Sequence, residues 1–420
     1  LFLTNGFKNI FAQTAGTSSV VRAYGNGWPT KVPNPIDSEA TNVNTYADPE
    51  NLFDAVFDSQ AELDIIMNNT SSYNTSGKVC RISKSFSVAS TSDDKDWGHG
   101  TVAATDHSAG VNNVSFTLDG NNKTITLTGE KTVKTTTGTN LDNGDETTYT
   151  TAPMLFNCIL GEVKDLILYL DIPLVASPSV AINLQDNPVY NAEDAIAPLA
   201  YAVWGENAKL TNVNVKARKA SSEDDGAYVQ ASTAAGLVVW AYGGATITNC
   251  KVNVPVRMWL PADMGNDAKH YTGGIVGVAA KATIIQCTYL VQDEDAVSGS
   301  KYSNSAKDSP NYYYGGIVGG TSQKESETPE LSIHDCTSWF NATLPTDEST
   351  DKSSKASIIG YCCYAENGSA STVMNGMKEG NEGNWWQLTA VGASYWLPSL
   401  NEEKVIGKRN GVTPTYSDNY

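Results

Sequence analysis

The side chains best suited to chemistry in this chain are aromatic rings with carboxylates close by. Trp259, His270 and Tyr271 form one group, Tyr302 with Tyr312, Tyr313 and Tyr314 a second, and Trp339 with Phe340 a third; Asp263, Asp293 and Asp308 lie among them. Flat rings supply large apolar area with a polar tip at low entropic cost, and carboxylates accept hydrogen bonds from hydroxyls. Together they can stack on sugar rings and bond their hydroxyls. The expected ligand-binding residues are therefore Trp259, His270, Tyr271, Tyr302, Tyr312, Tyr313, Tyr314 and Trp339. The competing use is structural, with the same rings pinning loops onto the body of the fold.

For catalysis the material is thinner. A polysaccharide lyase needs a Ca²⁺-binding carboxylate cluster beside a Lys or Arg base, and a hydrolase needs paired carboxylates about 5–10 Å apart. Arg218 with Asp224 and Asp225, and Arg257 with Asp263, come nearest. His99, His107, His270 and His334 form no H-E-x-x-H pair, and neither G-x-S-x-G nor a phosphate loop occurs. Asp94-x-Asp96-x-Gly98 has the start of a calcium loop without its terminal Glu, and turn chemistry explains it as well. The balance leans against an enzyme: no catalytic residue, metal site or cofactor is expected.

Seven cysteines (Cys80, Cys158, Cys250, Cys287, Cys336, Cys362, Cys363) are too few and too odd in number for a disulfide framework, and no C-x-x-C pair marks a zinc or redox site. The chain has 420 residues with 28 Lys+Arg against 46 Asp+Glu, a net charge of −18 and a pI near 4.6. Such an acidic surface excludes nucleic acid as a general partner and disfavours anionic membranes. No apolar run approaches the roughly 18 residues of a membrane span, so no membrane insertion by this segment is expected. Leu1 in place of Met reads as a trimmed product, and a composition rich in Asn, Ser, Thr and Tyr but poor in charge leans toward export.

The elements that must position these residues come from a repeat. Gly273-Gly274-Ile275-Val276-Gly277 recurs about 40 residues on as Gly315-Gly316-Ile317-Val318-Gly319, with Ala235-Gly236-Leu237-Val238 one step before and Ser357-Ile358-Ile359-Gly360 one step after. Ala152-Pro153-Met154 and Ala197-Pro198-Leu199 take the same slot upstream. Each is followed by a second short strand ending in a polar residue and then an apolar one or Cys: Val163 to Leu166, Leu210 to Val213, Ile247 to Cys250, Ile284 to Cys287, and Ile333 to Cys336. Four-residue strands cannot bury a face alone, but copies stacked in parallel about 4.8 Å apart build a continuous apolar column. The fold expected is all-β: a right-handed parallel β-helix (solenoid) with an N-terminal helical cap and long loops inserted on one edge. Asp165, Asn212, Asn249, Gln286 and Asp335 fall at a corner where side chains bond along the axis, and flanking glycines supply positive φ. Cys250, Cys287 and Cys336 share one inward column with Leu166 and Val213 and are expected as buried thiols, although adjacent strands would bring Cys250 and Cys287 within disulfide range.

Asp48-Pro49-Glu50 predicts a helix start ahead of Leu52, Phe53, Val56 and Phe57, and the capping box Ser59-Gln60-Ala61-Glu62 opens a further helix through Leu63, Ile66 and Met67. Cys80–Ile82, Phe86–Val88 and Val114–Leu118 alternate as strands, Asp119-Gly120-Asn121-Asn122 is a turn, and 90–112 and 130–151 are polar loops. Trp385, Trp386, Trp396 and Leu397 are placed to seal the far end. The division is then 1–47 as an arm or the tail of a preceding domain, 48–112 as N-terminal cap and first coil, 113–380 as repeats, and 381–420 as C-terminal cap. Excess length falls at 171–196, 216–234, 255–272, 290–314 and 340–356, which carry the aromatic residues named at the outset.

The Gly-Gly-Ile-Val-Gly strand followed by Ile-x-Asn-Cys, over about 114–375, resembles the GLUG repeat of right-handed parallel β-helix surface proteins in gut Bacteroidetes and related bacteria. The copies lie 38–45 residues apart, longer than a minimal repeat of that family, and the Tyr-Ala-Thr-Gly expected after the Cys is absent. The resemblance implies an extracellular or cell-surface location and adhesion or glycan contact, with a glycan, a host surface or other surface proteins as partners. A structural spacer in a surface appendage or envelope complex is the alternative, and a lyase or glycoside hydrolase the second.

Overall fold

The computed structural model describes residues 53–67, 71–90, 113–129, 134–139, 146–151, 154–175, 195–221, 226–231, 233–258, 269–291, 311–321 and 330–341, and beyond these the strands at 354–356, 359–363, 371–375, 386–390, 393–396, 406–410 and 415–417. They are dominated by short strands paired in parallel. One helix, α1 (Gln60–Met67), occurs among them.

A seventeen-stranded sheet combines two parallel ladders joined by the long strands Thr117–Gly129 and Glu162–Leu170. The first ladder runs through Ala55–Phe57, Val79–Ile82, the starts of the two long strands, Lys209–Thr211, Ala245–Thr248, Ala282–Ile285, Glu330–His334, Ser371–Asn375 and Thr415–Ser417. The second runs through Phe86–Ser90, the ends of the long strands, Asn214–Ala217, Lys251–Asn253, Thr288–Leu290, Thr337–Asn341 and Trp386–Ala390. A separate seven-stranded ladder stacks Phe156–Ile159, Ala200–Trp204, Val238–Tyr242, Val276–Ala279, Val318–Thr321, Ile359–Cys363 and Ile406–Asn410. Five strands (Ala195–Ile196, Thr233–Ala235, Lys269–Gly273, Asn311–Gly315, Ser354–Ala356) and three strands (Leu174–Val175, Val229–Ala231, Val256–Met258) form two smaller ladders, also parallel.

Equivalent positions of successive copies therefore sit beside one another. The Leu199 amide donates to the Leu237 carbonyl at 3.1 Å, Leu237 to Ile275 at 3.2 Å and Ile275 to Ile317 at 3.1 Å, and all four side chains are buried. Ile358 lies outside the described residues. Val163, Leu210, Ile247, Ile284 and Ile333 make a second buried column. A third holds Leu166, Val213, Cys250, Cys287 and Cys336, and these three cysteines are free thiols.

The polar corner forms, with the positive φ on its own residues rather than on flanking glycines. Asp165, Asn212, Asn249, Gln286 and Asp335 all have φ between 49° and 55°, a conformation that short polar side chains tolerate better than others. Asn212 Nδ2 donates to Asp165 Oδ1 at 2.9 Å, and Asn249 Nδ2 donates to Asn212 Oδ1. These left-handed residues turn the chain from the first ladder into the second.

The glycines at the other corner do a different job from the one expected. Gly273-Gly274 and Gly315-Gly316 do not have positive φ; they lie between the five-stranded and seven-stranded ladders, and at Gly273 and Gly274 no Cβ fits. A Cβ on Gly274 would fall on the Gly316 carbonyl and the Tyr289 ring. Val238–Tyr242, Val276–Ala279 and Val318–Thr321 after the bend, and Thr233–Ala235 before it, are buried throughout, which is why this part of the chain reads as small and apolar without alternation.

Three other expectations change. The helix predicted from Pro49 into Phe57 is overturned at its C-terminal end: Ala55–Phe57 is a fully buried strand in register with Cys80–Ile82, and this long-range pairing outweighs the local capping signal. The capping box itself forms: the Asp58 amide and the Ser59 hydroxyl donate to Glu62 Oε2 at 2.9 and 3.1 Å, and Leu63, Ile66 and Met67 are buried. Within 130–151, Lys134–Thr139 and Glu146–Thr151 pair as an antiparallel hairpin rather than a loop. The Asp119–Asn122 turn is a register shift inside one long strand, with Asn121 and Asn122 at φ 50° and 55°. At the far end Trp386–Ala390 doubles back on Ala393–Trp396 as an antiparallel pair; Trp385 and Leu397 lie outside the described residues.

Candidate functional site

The tyrosines picked out for ligand contact lie mostly inside the protein. Lys269–Gly273 and Asn311–Gly315 are neighbouring strands with His270 opposite Tyr312, Tyr271 opposite Tyr313 and Thr272 opposite Tyr314. Tyr271, Tyr313 and Tyr314 are 5%, 2% and 4% exposed. The rings of Tyr271 and Tyr313 stack with centroids 5.7 Å apart and an interplanar angle of 27°. Gly320 of the seven-stranded ladder approaches the Tyr271 ring so closely that no Cβ would fit there. The Tyr314 hydroxyl donates to the Val256 carbonyl at 3.0 Å and meets the Tyr289 hydroxyl at 3.3 Å. Placement of these three rings on exposed loops is thus corrected: ladder pairing draws them between sheets, where they fill space and the Tyr314 hydroxyl finds buried partners.

The other candidates are distributed differently. His270 and Tyr312 share one register position of the five-stranded ladder, and Trp339 belongs to the second ladder, opposite Leu290 and Gln387. Trp259 and Tyr302 lie outside the described residues, as do Asp263, Asp293 and Asp308. The structure thus brings four of the eight together in pairs, with Tyr314 next to them, and sets Trp339 apart.

The connections that carry Trp259 and Tyr302 have a defined origin and destination. In one copy a single residue, Ser232, links Val229–Ala231 to Thr233–Ala235. In the next copy Val256–Met258 and Lys269–Gly273 pair in register with those same two strands, yet residues 259–268 intervene. Residues 176–194, 292–310 and 342–353 likewise precede Ala195–Ile196, Asn311–Gly315 and Ser354–Ala356. Extra length therefore enters one ladder, copy after copy.

One aromatic pair was missed by the sequence reading. Trp204 and Tyr242, at equivalent ends of adjacent strands, stack with centroids 5.8 Å apart and an interplanar angle of 22°. Trp204 is half-buried, its ring lying against Gly243 at φ 71°, and Lys281 Nζ stands 3.9 Å from Glu206 Oε1 at the same turn. The available signal was an aromatic residue directly before Gly205 and Gly243 in two aligned copies.

The catalytic candidates do not assemble among the described residues. Arg218 Nε donates to the Asp171 carbonyl at 3.0 Å and stands 3.4 Å from its Oδ1, while the Arg257 guanidinium lies 3.8 Å above the Tyr228 ring and is buried. Asp224, Asp225 and Asp263 lie outside the described residues, as do Asp94 and Asp96. No group of three metal-ligating side chains occurs among those described. Four of the thiols are poor nucleophiles: burial pushes Cys80 up to about 12, with Asp54 adding to it, and burial also raises Cys158, Cys250 and Cys336. Cys287 Sγ lies 3.4 Å from the Ile285 carbonyl and 3.6 Å from that of Ile247, contacts that suit an S–H donor. Burial also raises the Tyr289 phenol.

No family model matches this chain, and neither a curated protein nor a solved structure matches it.

Proposed function

We propose that this chain is a non-catalytic binding protein of the exported, cell-surface kind, built on a right-handed parallel β-helix with GLUG-like repeats and contacting glycan through its inserted segments. The observation that carries the reading is the unequal connection between ladders that are otherwise in register: one residue at Ser232, but 259–268 in the following copy. Insertions at one point of a repeating unit emerge on a shared side, which in such architectures is frequently where ligands bind. Trp259 and Tyr302 sit in two of these insertions together with Asp263, Asp293 and Asp308, the residue types that stack on sugar rings and accept from hydroxyls. Parallel pairing of successive copies, the bonded Asp165–Asn212–Asn249 corner and the capped α1 all support the scaffold.

The test is retention on immobilised neutral glycans. The double substitution Trp259→Ala, Tyr302→Ala abolishes retention and leaves the thermal midpoint unchanged if the insertions hold the ligand; unchanged retention defeats the reading. Assembly into filaments without glycan binding points to a spacer, and release of unsaturated sugar products to a lyase.

A further inference from the structure

We propose a second binding face, on the outer side of the first and second ladders, for an anionic polysaccharide carrying carboxylates on its sugar rings. It is independent of the insertions. Three consecutive copies place Lys164 and Lys209 on the first ladder and Lys216 and Lys251 on the second, either side of the corner. Lys209, Lys216 and Lys251 are exposed and Lys164 half-buried, and the residues alternating with them, Val163, Leu210, Val215 and Val252, are buried. The lysines consequently project from the sheet. None of the four forms an ion pair with another described residue.

The acids on the same strands are Glu162, which accepts from the Thr211 hydroxyl at 3.5 Å, and Asp165, which is engaged by Asn212 at the corner. Four lysines against two carboxylates leave this area cationic in a chain whose net charge is −18. A polyanion repelled by the rest of the surface is thus directed here, because surface potentials sum over many charges and guide association.

Charge alone would equally suit an acidic peptide; the neighbours of the lysines favour sugar. Tyr169, Lys216 and Asn253 occupy the same register position on three adjacent strands, so a half-buried ring, an ammonium and an exposed amide follow one another about 4.8 Å apart. A ring face, a cation and an amide in a line suit a chain of rings that bear both carboxylate and hydroxyl groups. The surface comprises the outer sides of the two ladders that meet at the Asp165–Asn212–Asn249 corner, open along the stacking direction, which accommodates a polymer running across the strands.

The experiment is affinity electrophoresis of the full chain in gels containing polygalacturonate, dextran or polyglutamate. The expected result is retardation by polygalacturonate alone, lost at 0.5 M NaCl because exposed charges are then screened within a few ångströms. The triple substitution Lys209→Gln, Lys216→Gln, Lys251→Gln weakens binding at least tenfold with an unchanged thermal midpoint, Tyr169→Ala weakens it severalfold, and the Trp259→Ala, Tyr302→Ala variant binds polygalacturonate as the parent does. Absence of retardation, equal retardation by polyglutamate, survival in high salt, or full binding by the triple variant overturns the proposal. The salt series on the unaltered protein decides the matter even if a variant misfolds. Failure of neutral-glycan retention bears only on the insertions, so the two readings fall separately.

Discussion

At the corner between the first two ladders, a single residue type carries two separate physical roles. Asn249 must adopt φ 52° and must also pass a hydrogen bond to Asn212. The left-handed region costs an ordinary residue about 1–2 kcal/mol, and an exposed amide bond adds about 0.5–1.5 kcal/mol. Asn249→Ala loses both contributions, while Asn249→Gly keeps the backbone conformation and loses only the side chain. The expected outcome in urea unfolding at constant slope is a loss of about 2 kcal/mol for alanine and about half that for glycine. Equal losses would mean that the backbone conformation is not what selects this residue. The place of the corner was legible in the sequence from its recurring Asn, Asp and Gln, although the positive φ falls on these residues and not on the glycines beside them; Tyr271, Tyr313 and Tyr314 were not legible, because an aromatic residue gives no local sign of whether a ring faces water or a neighbouring sheet.

Among the elements, the bend at Gly274 shows why apparent strands and actual strands differ. The recurring Gly-Gly-Ile-Val-Gly string was read as a strand with glycines turning at its flank, whereas strands lie on both sides and the glycines mark where two ladders and Tyr289 converge. Gly274→Ala is therefore predicted to destabilise by about 1–3 kcal/mol, the usual cost of forcing an extra carbon into packed surroundings. Gly205→Ala meets no atom within 4 Å and pays only for its φ of 102°. Pairing each with Tyr289→Phe and Tyr289→Leu in thermal melts separates the causes: removing the ring in Tyr289→Leu restores part of the loss at position 274 and none at 205, while Tyr289→Phe, which keeps the clashing Cγ and Cδ1 atoms, restores neither. No restoration would place the clash on the Gly316 backbone alone. Strand Ala55–Phe57 and the hairpin at 134–151 were illegible for complementary reasons. The first is dictated by residues 25 positions away, whose pairing no local propensity reports. The second did have a signal, Thr-rich runs around Asn140-Leu141-Asp142-Asn143-Gly144, that a reading tuned to apolar alternation passes over.

For the whole molecule the decisive relation is between ladders that must remain in register and connections that need not have any particular length. Loop closure costs grow only with the logarithm of length, so a scaffold of this kind absorbs long insertions at little cost and can equally lose them. Residues 259–270 of one copy stand where Ser232 alone stands in the copy before, because Ala231 pairs with Met258 and Ala234 with Thr272. Replacing 259–270 by one serine should therefore yield a folded protein. The replacement sacrifices the Lys269–Asn311 and His270–Tyr312 ladder positions, and the expected loss is about 1–2 kcal/mol, a pair of backbone hydrogen bonds offset by the shorter loop. Cooperative unfolding with a midpoint a few degrees lower, together with neutral-glycan retention lost and polygalacturonate retardation kept, is the predicted combination. Collapse of the fold would show that the insertion is itself part of the packing between the three-stranded and five-stranded ladders, and that its aromatic residues act inward like Tyr271 and Tyr313 rather than toward a ligand.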